Sequence, residues 1–437
     1  MIDKYTKPEM GAIWSKENKY KKWLDVEIAT LEAKEILGLI PKGVAATVKQ
    51  FAKFTVEAIE TIDKEIDQDM VAFLRVVSGS IPSEVRSYPH DGLTSYDTED
   101  TALAIQMTES DELIKKLIRE LIQALKTIAK THEHTLEIGR THGVHAEPIT
   151  FGLKILNWVD EMERHLRKLE VNEKEFIAGK ISGVVGTYGN IDTRVEVIVC
   201  EKLGIPSAKI STQIISRDRH HLWLSILSSI SDSLAKFATE IRNLQRTEIS
   251  EVQEPFKSGG GSSSMPHKRN PNKAERIVSL ARLPRVYVLV VAENQANCWH
   301  ERTLDNSANE RIILSDTAIL VHYLLCTFLD EMKGLKVFAD RMLENLNLTK
   351  GVIFSEDVML ALTSKGMPRD AARTLIQNVA QEAWDNRLEF GNVLKTKPEI
   401  TSLLSEEEID ACLVSERHLK NINQIFARFE FEQGKED

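Results

Sequence analysis

Cysteine is scarce in this sequence, and its four residues lie far apart. Cys200, Cys298, Cys326 and Cys412 form no C-x-x-C pair in a chain of 437 residues. This excludes a disulfide framework or a cysteine-based zinc site and is typical of reduced thiols in the cytoplasm. Glycine and proline are also few for an all-β fold, at 21 and 12 residues. The composition therefore favours a helical, cytoplasmic protein.

Long apolar runs and an excess of basic charge are missing as well. We find no stretch of about 18 apolar residues, so no membrane span is predicted. Residues 1–14 lack the apolar core of a secretory signal. The formal net charge is −10, whereas a nucleic-acid-binding surface is normally basic. We therefore expect neither a membrane nor a nucleic acid as a partner, and an anionic substrate requires a local group of cations.

The length and the apolar pattern predict three helical domains. A chain of 437 residues exceeds one ordinary core. Residues 19–37 show a helical pattern, and two shorter helices are expected before Pro82. Pro89 and Gly92 interrupt the pattern in residues 87–97, which indicates a loop and a domain boundary. The predicted domains are an N-terminal one (residues 1–93), a central one (residues 94–340) and a C-terminal one (residues 341–437).

The central domain is predicted to be a bundle of long helices. Apolar residues recur every three or four positions in residues 113–128 and 224–244, which is typical of helices that bury a stripe against one another. Residues 276–297 and 310–329 repeat this pattern, with a kink expected at Pro284. The fold class is therefore all-α. The broad apolar faces suggest burial by other subunits, although a monomeric bundle would show a similar pattern.

One stretch between two of these helices combines residue types that a linker rarely combines. Residues 258–271 read S-G-G-G-S-S-S-M-P-H-K-R-N-P. The glycines give backbone freedom and the serines give hydroxyl groups, while Lys268 and Asn270 add a cation and an amide. A flexible Gly/Ser linker is the alternative, and the residue order of a phosphate-binding P-loop is absent. We interpret the stretch as a loop that closes over an anion.

This stretch resembles the mobile-loop motif G-S-S-x-M-P-x-K-x-N-P of the fumarase/aspartase superfamily. Within it, G-R-T-H-G-V-H-A-E-P at residues 139–148 and the opening I-D-K-Y-T-K-P-E-M resemble the adenylosuccinate lyase family most closely. The resemblance runs nearly end to end. It implies a homotetramer with a 20-helix core and active sites shared by three chains. It also implies the release of fumarate from a succinyl-amine nucleotide in purine synthesis, with no cofactor and no metal.

The resemblance implies a base and an acid for an anti elimination. Ser262 matches the base that removes the carbon-bound proton, although spacing alone leaves Ser263 as a competitor. His142 matches the acid that protonates the departing nitrogen, a task that suits imidazole near neutral pH. Without the family, a lone histidine in a loop is more often a surface residue. His142 and His145 also lack the further ligands of a metal pair.

Three more residues complete the catalytic group that the resemblance implies. Lys268, together with Asn270 and loop amides, would stabilise the dianionic intermediate. Glu275 matches the glutamate that orients the acid histidine, whereas an isolated glutamate at a helix start usually favours the helix dipole. His90 lies in H-D-G-L-T-S, which resembles the family's H-Y-G-L-T-S-x-D.

The remaining matches concern substrate binding. Thr94 and Ser95 would donate to the succinyl carboxylates, the alternative being a helix N-cap. Gln213 matches a residue at the carboxylate end of the substrate, although a glutamine in a loop usually carries no information. The phosphate would be bound by Arg302, Ser307 and Arg311, which reproduce the family spacing. Lys4 and Tyr5 match the N-terminal pair that also reaches the phosphate, with lysine in place of the more usual arginine. As bare charges, the two arginines would more often be exposed helix residues.

Three departures from the family pattern concern the substrate more than the reaction. The family's R/N-H-D is replaced by Asp67, Gln68 and Asp69 before M-V-A-F. In the family's E-R-D-x-S-H-S-S, Asp305 and Asn306 replace a serine and a histidine. In the family's H-Y-G, Asp91 replaces the tyrosine. Acids beside a phosphate would weaken its binding by like-charge repulsion. If these positions line the pocket, the leaving group is not a nucleotide.

Two alternatives to this function remain open. The first is a related lyase that releases fumarate from a different N-succinyl amine. The second is a structural or binding protein that keeps the fold without activity, as the lens crystallins of this superfamily do. The joint presence of Ser262, His142, Lys268 and Glu275 argues against the second.

Overall fold

The structure is a computed structural model that describes residues 1–256 and 264–431. The helices of its first half are α1 Pro8–Ile13, α2 Lys16–Ile36, α3 Val44–Phe51, α4 Val56–Ile66, α5 Asp69–Ser80, α6 Ser95–Thr131, α7 Phe151–Phe176, α8 Thr193–Leu203 and α9 Asp218–Leu244. Then follow α10 Asn272–Leu280, α11 Arg282–Ala296, α12 Asp305–Lys333, α13 Ala339–Leu346, α14 Ser355–Ser364, α15 Arg369–Asp385, α16 Phe390–Lys395, α17 Pro398–Thr401, α18 Glu406–Cys412, α19 Glu416–Leu419 and α20 Ile422–Phe426. The 3-10 helices are Asp3–Tyr5, Ser83–Val85, Asn347–Thr349 and Val352–Phe354, and the strands are β1 Leu136–Thr141, β2 Val144–Thr150, β3 Val252–Gln253 and β4 Lys336–Val337.

The helices agree with the apolar pattern except at two places. Helix α2 begins after Ser15, whose hydroxyl accepts the amide of Asn18 at 3.1 Å as an N-cap. Before Pro82 there are three helices (α3, α4 and α5) rather than the expected two. The expected kinked helix at Pro284 is instead divided into α10 and α11 at Ala281. The break precedes the proline because the ring clashes with the carbonyl four residues earlier.

The described part of the chain is dominated by helices, as the all-α class predicts, and also contains four short strands, two of which replace the predicted loop around His142. Strands β1 and β2 form an antiparallel hairpin in which Thr141 pairs with Val144. The two residues between them, His142 and Gly143, both have positive φ angles, 54° and 79°. A two-residue turn of this kind matches the right-handed twist of paired strands. Strands β3 and β4 form a second, short antiparallel pair.

The chain divides into two compact units. Unit 1 comprises Met1–Glu120, Met162–Ala238 and Glu275–Phe328. Unit 2 comprises Leu121–Glu161, Thr239–Ala274 and Leu329–Asp437, of which residues 257–263 and 432–437 lie outside the described part. The three-domain division of the sequence analysis remains a prediction.

Each unit has its own core. In unit 1 an aromatic cluster lies under the N-terminal helices, where the ring of Phe73 packs against Trp23 at 5.5 Å and against Tyr20 at 6.1 Å between centroids. In unit 2 the short C-terminal helices α14–α18 surround a separate core that includes Leu362, Ile376, Phe390 and Ile409. Such cores explain why short helices, marginal alone, are stable here.

Helix α12 revises the statement that no long apolar run is present. One window of 18 residues in Asp305–Lys333 is apolar enough, by length and composition, to cross a membrane, and 78% of that window is buried inside the protein. Burial of this extent is typical of the core helix of a folded domain. No other helix in the described part of the chain meets the same criteria.

The aromatic cluster gives a test of the core of unit 1. Phe73 is fully buried, so we expect Phe73→Ala to lower the free energy of unfolding by about 3–5 kcal/mol through lost burial and a residual cavity. Val171→Ala is the control, because Val171 is 77% exposed. Urea denaturation followed by circular dichroism measures both, and equal midpoints for the two variants would contradict the packing described.

Candidate active site

The β1–β2 hairpin of unit 2 presents His142 at its tip. Thr141, His142, Gly143 and Val144 are all exposed, whereas the strand residues Ile138 and Pro148 are buried. The imidazole of His145, the next histidine, is half-buried, and its Nδ1 has no hydrogen-bond partner. Burial, with a contribution from the charge of Arg140, lowers the pKa of His145. The hairpin therefore offers one accessible imidazole and one that stays neutral.

A buried ion pair anchors this hairpin within unit 2. Arg140, in β1, donates two hydrogen bonds to the carboxylate of Glu251, at 3.0 Å and 2.6 Å. The same carboxylate accepts the side-chain amide of Asn345 at 2.8 Å. Glu251 is fully buried, and bidentate pairing of this kind fixes geometry as well as charge. Glu251 therefore connects the hairpin to the segment that precedes the mobile-loop motif in the sequence.

His90 of unit 1 is held by a single buried carboxylate. Its Nδ1 lies 2.7 Å from Oε1 of Glu27, and its backbone amide donates to Oε2 at 2.8 Å. Burial by itself would lower the pKa of His90, but the hydrogen bond and the charge of Glu27 raise it. The residue has a φ of 61°. Its backbone and ring are thus both fixed by Glu27, which favours the protonated imidazole.

The T-S pair after His90 lies at the start of α6, as the N-cap alternative proposed. The backbone amide of Thr94 donates to Oδ2 of Asp97 at 2.8 Å, which places Thr94 at the cap position. Asp97 also accepts the amide of Ser182 at 2.9 Å and contacts the ammonium of Lys180. The hydroxyl groups of Thr94 and Ser95 are half-buried and remain candidates for binding a carboxylate.

Two predicted substrate-binding residues that are far apart in the sequence meet in unit 1. Nη1 of Arg302 donates to Oε1 of Gln213 at 2.9 Å, and the amide of Gln213 donates to the carbonyl of Glu301 at 3.2 Å. The guanidinium of Arg302 lies 3.5 Å from the ring centroid of Tyr96. The hydroxyl of Tyr96 in turn donates to that of Ser307 at 2.9 Å. Arg302, Gln213 and Ser307 thus form one cluster around Tyr96.

Arg311, another of the five residues assigned to the phosphate, is paired with carboxylates. It lies 2.9 Å from Asp69 and 3.6 Å from Glu99, and Asp69 is also paired with Lys19 at 2.9 Å. Burial, with the charge of Asp69 second, raises the pKa of Glu99 to about 7. For Asp69, burial acts to raise the pKa, but Lys19 and Arg311 lower it overall. The charge of Arg311 is therefore largely compensated within the chain.

Tyr96, Ser307 and Arg311 line a cavity of 460 Å³ in unit 1. Arg302 and Gln213 line a neighbouring pocket instead, of about 400 Å³. Ionisable and hydroxyl groups predominate at the wall of the 460 Å³ cavity, and the ones that concern the substrate are Lys19, Asp69, Tyr96, Glu99, Ser307 and Arg311. The volume is in the range of small-molecule sites. The cavity is the best candidate in the described part of unit 1 for the leaving half of a substrate.

Most of the departures from the family pattern lie elsewhere. Asp67 is an exposed C-cap of α4, and Gln68 accepts the amide of Val71 at 3.1 Å as the N-cap of α5. Asp91 pairs with Lys34 at 3.2 Å. Neither Asp67 nor Asp91 lines the cavity, so the like-charge repulsion suggested for them does not arise there. Asn306 is buried.

Several predicted residues lie outside this cluster. Ser262 falls outside the described residues, as does its competitor Ser263. Lys268 is exposed and donates its amide to the carbonyl of Met265 at 3.0 Å, and Asn270 is half-buried. The predicted residues of unit 1 that do not line its 460 Å³ cavity are Lys4, Tyr5, Asp67, Gln68, His90, Thr94, Ser95, Gln213, Glu275 and Arg302. Tyr5 instead packs edge-on against Tyr323 at 5.4 Å.

The cavity also contains residues that the sequence analysis missed. Tyr96, Glu99 and Leu103 lie on one face of the first turns of α6. Their spacing of three and four residues from the start of the helix is a signal that was present in the sequence. Their partners, however, lie about 200 residues away, and no local pattern indicates that pairing.

A trio of possible metal ligands lies elsewhere in unit 1. Single ligand atoms of Glu9, His322 and Cys326 all lie within 4.8 Å of one another. Nε2 of His322 faces Glu9 at 3.6 Å, whereas its Nδ1 faces Cys326 at 4.0 Å. One metal ion binds one imidazole nitrogen, so the two other ligands approach opposite sides of the ring. This arrangement is poor for a metal and is explained by packing.

A buried acid in unit 2, Glu331, lies near Glu254 and Lys273, which flank the mobile-loop motif in the sequence. Glu331 is fully buried, and neither carboxyl oxygen has a hydrogen-bond partner among the described residues. Glu254, which precedes the motif, accepts the amide of Lys273 at 3.0 Å. Burial, with a smaller contribution from Glu254, raises the pKa of Glu331 to about 8. Glu331 is therefore largely neutral at pH 7.

Two family profiles match the chain. One, described as "Lyase", matches residues 3–283, and the other, described as "Adenylosuccinate lyase C-terminus", matches residues 351–429. Among its relatives, the adenylosuccinate lyase of Synechocystis sp. is 45% identical to this chain over 432 residues, which cover 98% of this chain and 100% of that protein. The adenylosuccinate lyase of Bacillus subtilis is 44% identical over 429 residues, which cover 98% and 99%.

Solved structures share the fold. A fumarate lyase from Mesorhizobium sp. has a TM-score of 0.89 at 26% identity and covers 96% of this chain and 97% of its own. The 3-carboxy-cis,cis-muconate lactonizing enzyme from Pseudomonas putida has a TM-score of 0.89 at 28% identity, with 97% and 96% covered. The chain therefore has the helix-dominated fold of the fumarase/aspartase type.

The charge state of the buried acid Glu331 can be tested. Its folded pKa of about 8 lies above the ordinary value of 4.5, so its contribution to stability is present below pH 4.5 and is lost as the pH rises through 8. We expect Glu331→Gln to raise the free energy of unfolding by about 1–3 kcal/mol at pH 8 and to change it little at pH 4.5.

Denaturant titrations at pH 4.5, 6 and 8 measure this difference. Glu344→Gln is the matched control, because the Glu344 side chain is 65% exposed. A Glu331→Gln variant that loses stability at pH 8 would mean that the carboxylate is charged and needed in the folded protein.

Proposed function

The chain belongs to the adenylosuccinate lyase family, and on that premise we propose that it cleaves adenylosuccinate to AMP and fumarate. We include the second reaction of this class, in which a succinyl-carboxamide ribotide yields its free carboxamide and fumarate. Both are carbon–nitrogen eliminations from the same succinyl group. The nucleotide phosphate is common to both substrates.

The observation that carries the proposal is the hydrogen bond between Arg302 and Gln213, at 2.9 Å. The family resemblance assigns Gln213 to the carboxylate end of the substrate and Arg302 to the phosphate. These residues are 89 positions apart in the sequence, yet they lie side by side, and Tyr96 links Arg302 to Ser307. A cation, an amide and a hydroxyl are the groups that an anionic substrate requires.

The proposed mechanism moves two protons and no redox equivalents, so it needs no cofactor. The hydroxyl oxygen of Ser262, as its alkoxide, takes the proton from the carbon next to the succinyl carboxylate. Lys268 and Asn270 stabilise the dianion that forms. The C–N bond then breaks as the C=C bond of fumarate forms, and His142 gives its proton to the departing nitrogen. Glu275 orients that histidine and His90 assists as a second imidazole.

The proposed assembly is a homotetramer in the cytoplasm whose active sites combine residues of three chains. It is supported by an apolar stripe on α11, where Leu283, Val286 and Leu289 are 37%, 54% and 68% exposed at a spacing of three residues. A stripe of this kind on a long helix needs a partner surface. None of the four cysteines, all of which lie in the described part of the chain, forms a disulfide bond, which is typical of a reducing compartment.

A second candidate keeps the reaction and changes the amine. It is favoured by the cavity of unit 1, where Asp69 and Glu99 take up the charge of Arg311. A carboxylate pair at this position weakens binding of a phosphate dianion. The second candidate therefore releases fumarate from an N-succinyl amine that carries no phosphate.

Turnover of adenylosuccinate tests the proposed function directly. We expect loss of its ultraviolet difference absorbance with the wild-type protein, and loss of at least 100-fold in kcat for Ser262→Ala and for His142→Ala, since general acid–base groups contribute about 10²–10⁴-fold. Ser263→Ala decides between the two serines and is expected to keep most of its rate. His134→Ala, an exposed histidine, is the control for His142.

Each outcome has a definite meaning. Size-exclusion chromatography must show unchanged oligomer size for the variants, so that a lost rate reports chemistry. If fumarate is released from another succinyl amine and not from adenylosuccinate, the second candidate replaces the first. If Ser263→Ala loses the rate and Ser262→Ala keeps it, the base is Ser263.

A further inference from the structure

Tyr96, in the first turn of α6, contacts two of the five residues assigned to the phosphate, Arg302 and Ser307. The guanidinium carbon of Arg302 lies 3.5 Å from its ring centroid, and its hydroxyl donates to Ser307 at 2.9 Å. Arg302 lies just before α12 and Ser307 lies in the first turn of α12, whereas Tyr96 belongs to α6. One side chain therefore links both groups.

The ring contact orients Arg302 without using its donors. A guanidinium group carries its N–H bonds in its own plane, and the contact with the ring is made by the central carbon. Nε of Arg302 donates to the carbonyl of Thr303 at 3.4 Å. Nη1 is engaged by Gln213 at 2.9 Å, which fixes the rotation within the plane. Arg302 forms no ion pair with a carboxylate in the described part of the chain, in contrast to Arg311, which pairs with Asp69. Its charge is therefore left for a ligand.

The hydroxyl contact orients Ser307. A serine hydroxyl that accepts one hydrogen bond keeps its own hydrogen for donation to another acceptor. Tyr96 remains a donor at neutral pH, because burial first and the charge of Glu99 second raise its pKa to about 12. Ser307 is thereby directed to donate to a group in the cavity, which suits a phosphate oxygen.

The position of Tyr96 is itself fixed by the buried residues behind it. The guanidinium of Arg217 lies 5.8 Å from the same ring centroid. Arg217 is almost fully buried and is paired with Asp100 at 2.9 Å and with Glu310 at 3.1 Å. Asp100 lies one turn after Tyr96 on α6, and Glu310 lies one turn after Ser307 on α12. The ring and the serine are therefore held in register by one ion network.

We propose that Tyr96 is a positioning residue for the substrate phosphate, holding Arg302 by its ring face and Ser307 by its hydroxyl, so that the protein prefers the phosphorylated substrate to its nucleoside. The inference rests on the proposed function for the identity of the substrate. It concerns a residue that does not itself touch the reacting atoms. Its effect is therefore expected on binding of the phosphate, not on the elimination.

Kinetics with two substrates test this role. For Tyr96→Leu, we expect KM for adenylosuccinate to rise by about 10-fold or more with kcat within about 3-fold of wild type, from the loss of a cation–π contact and a hydrogen bond. Tyr96→Phe keeps the ring, so its KM is expected to rise by about 2- to 5-fold. With succinyladenosine, which lacks the phosphate, both variants are expected to match wild type in kcat/KM.

Two results would overturn the proposal. An equal loss of kcat/KM on both substrates would show that Tyr96 has only a structural role, and an unchanged KM for Tyr96→Leu would show that the contacts do not matter. Tyr287→Phe is the matched control for loss of a tyrosine hydroxyl, because Tyr287 is half-buried on α11 and does not line the cavity. Its constants are expected to equal those of wild type.

Calorimetric binding of AMP and adenosine separates this inference from the proposed function. We expect wild type to bind AMP more tightly than adenosine and Tyr96→Leu to lose that difference. If the wild-type protein does not turn over adenylosuccinate but shows this preference for AMP, the proposed reaction fails and the phosphate site stands. If wild type binds AMP and adenosine equally, the inference about Tyr96 is wrong even when adenylosuccinate is turned over.

Discussion

A single buried guanidinium, that of Arg217, sets the geometry of the candidate substrate cavity. It donates to Asp100 on α6 at 2.9 Å and 3.0 Å and to Glu310 on α12 at 3.2 Å. Burial favours the neutral form of Glu310, but the charge of Arg217 outweighs it and lowers the Glu310 pKa to about 2. Removing one partner of such a network leaves a buried charge unpaired, which costs about 3–5 kcal/mol. The first turns of both helices are therefore fixed relative to each other.

The residues assigned to the substrate depend on this register. Tyr96 lies one turn before Asp100, and Ser307 lies one turn before Glu310, so the hydroxyl–hydroxyl bond between them follows from the network. Asn306 replaces a histidine of the family pattern, and its amide donates to Glu310 at 2.8 Å. The asparagine that departs from the family pattern is therefore part of the buried hydrogen-bond network around Glu310. In unit 2 the Arg140–Glu251 pair has the same function for the hairpin that carries His142.

Periodicity alone predicted the long helices. The family resemblance of the chain is confirmed by its full-length similarity to adenylosuccinate lyases. Residues 113–128 lie within α6 because a stripe repeating every three or four residues can be buried only as a helix. The hairpin was missed because His142–Gly143 is not one of the common hairpin turns. The sequence analysis expected a kink at Pro284, but the helix breaks at Ala281. A proline disturbs the turn that precedes it, so the break lies before the proline itself.

The site was less predictable than the fold, because its contacts join distant segments. The motif identified Arg302, Ser307 and Gln213, and the structure brings these three together. Glu99 and Tyr96 were missed, since a charge that pairs with Arg311 and a ring that stacks on Arg302 have no signature in the local sequence. None of the acids flagged as departures, Asp67, Asp91 and Asp305, lines the cavity, whereas Asp69, which the family pattern shares, does. The roles of Ser262 and His142 stay predictions.

The arrangement around Tyr96 leads us to expect that a nucleotide phosphate binds between Arg302 and Ser307, above the ring of Tyr96. A crystal structure of the protein with AMP and fumarate bound tests it most directly. We expect phosphate oxygens to lie within hydrogen-bond distance of the Arg302 guanidinium and of the Ser307 hydroxyl, at about 3 Å. Arg302 is expected to remain over the Tyr96 ring. A phosphate bound elsewhere, with those two side chains in contact only with the protein, would contradict it.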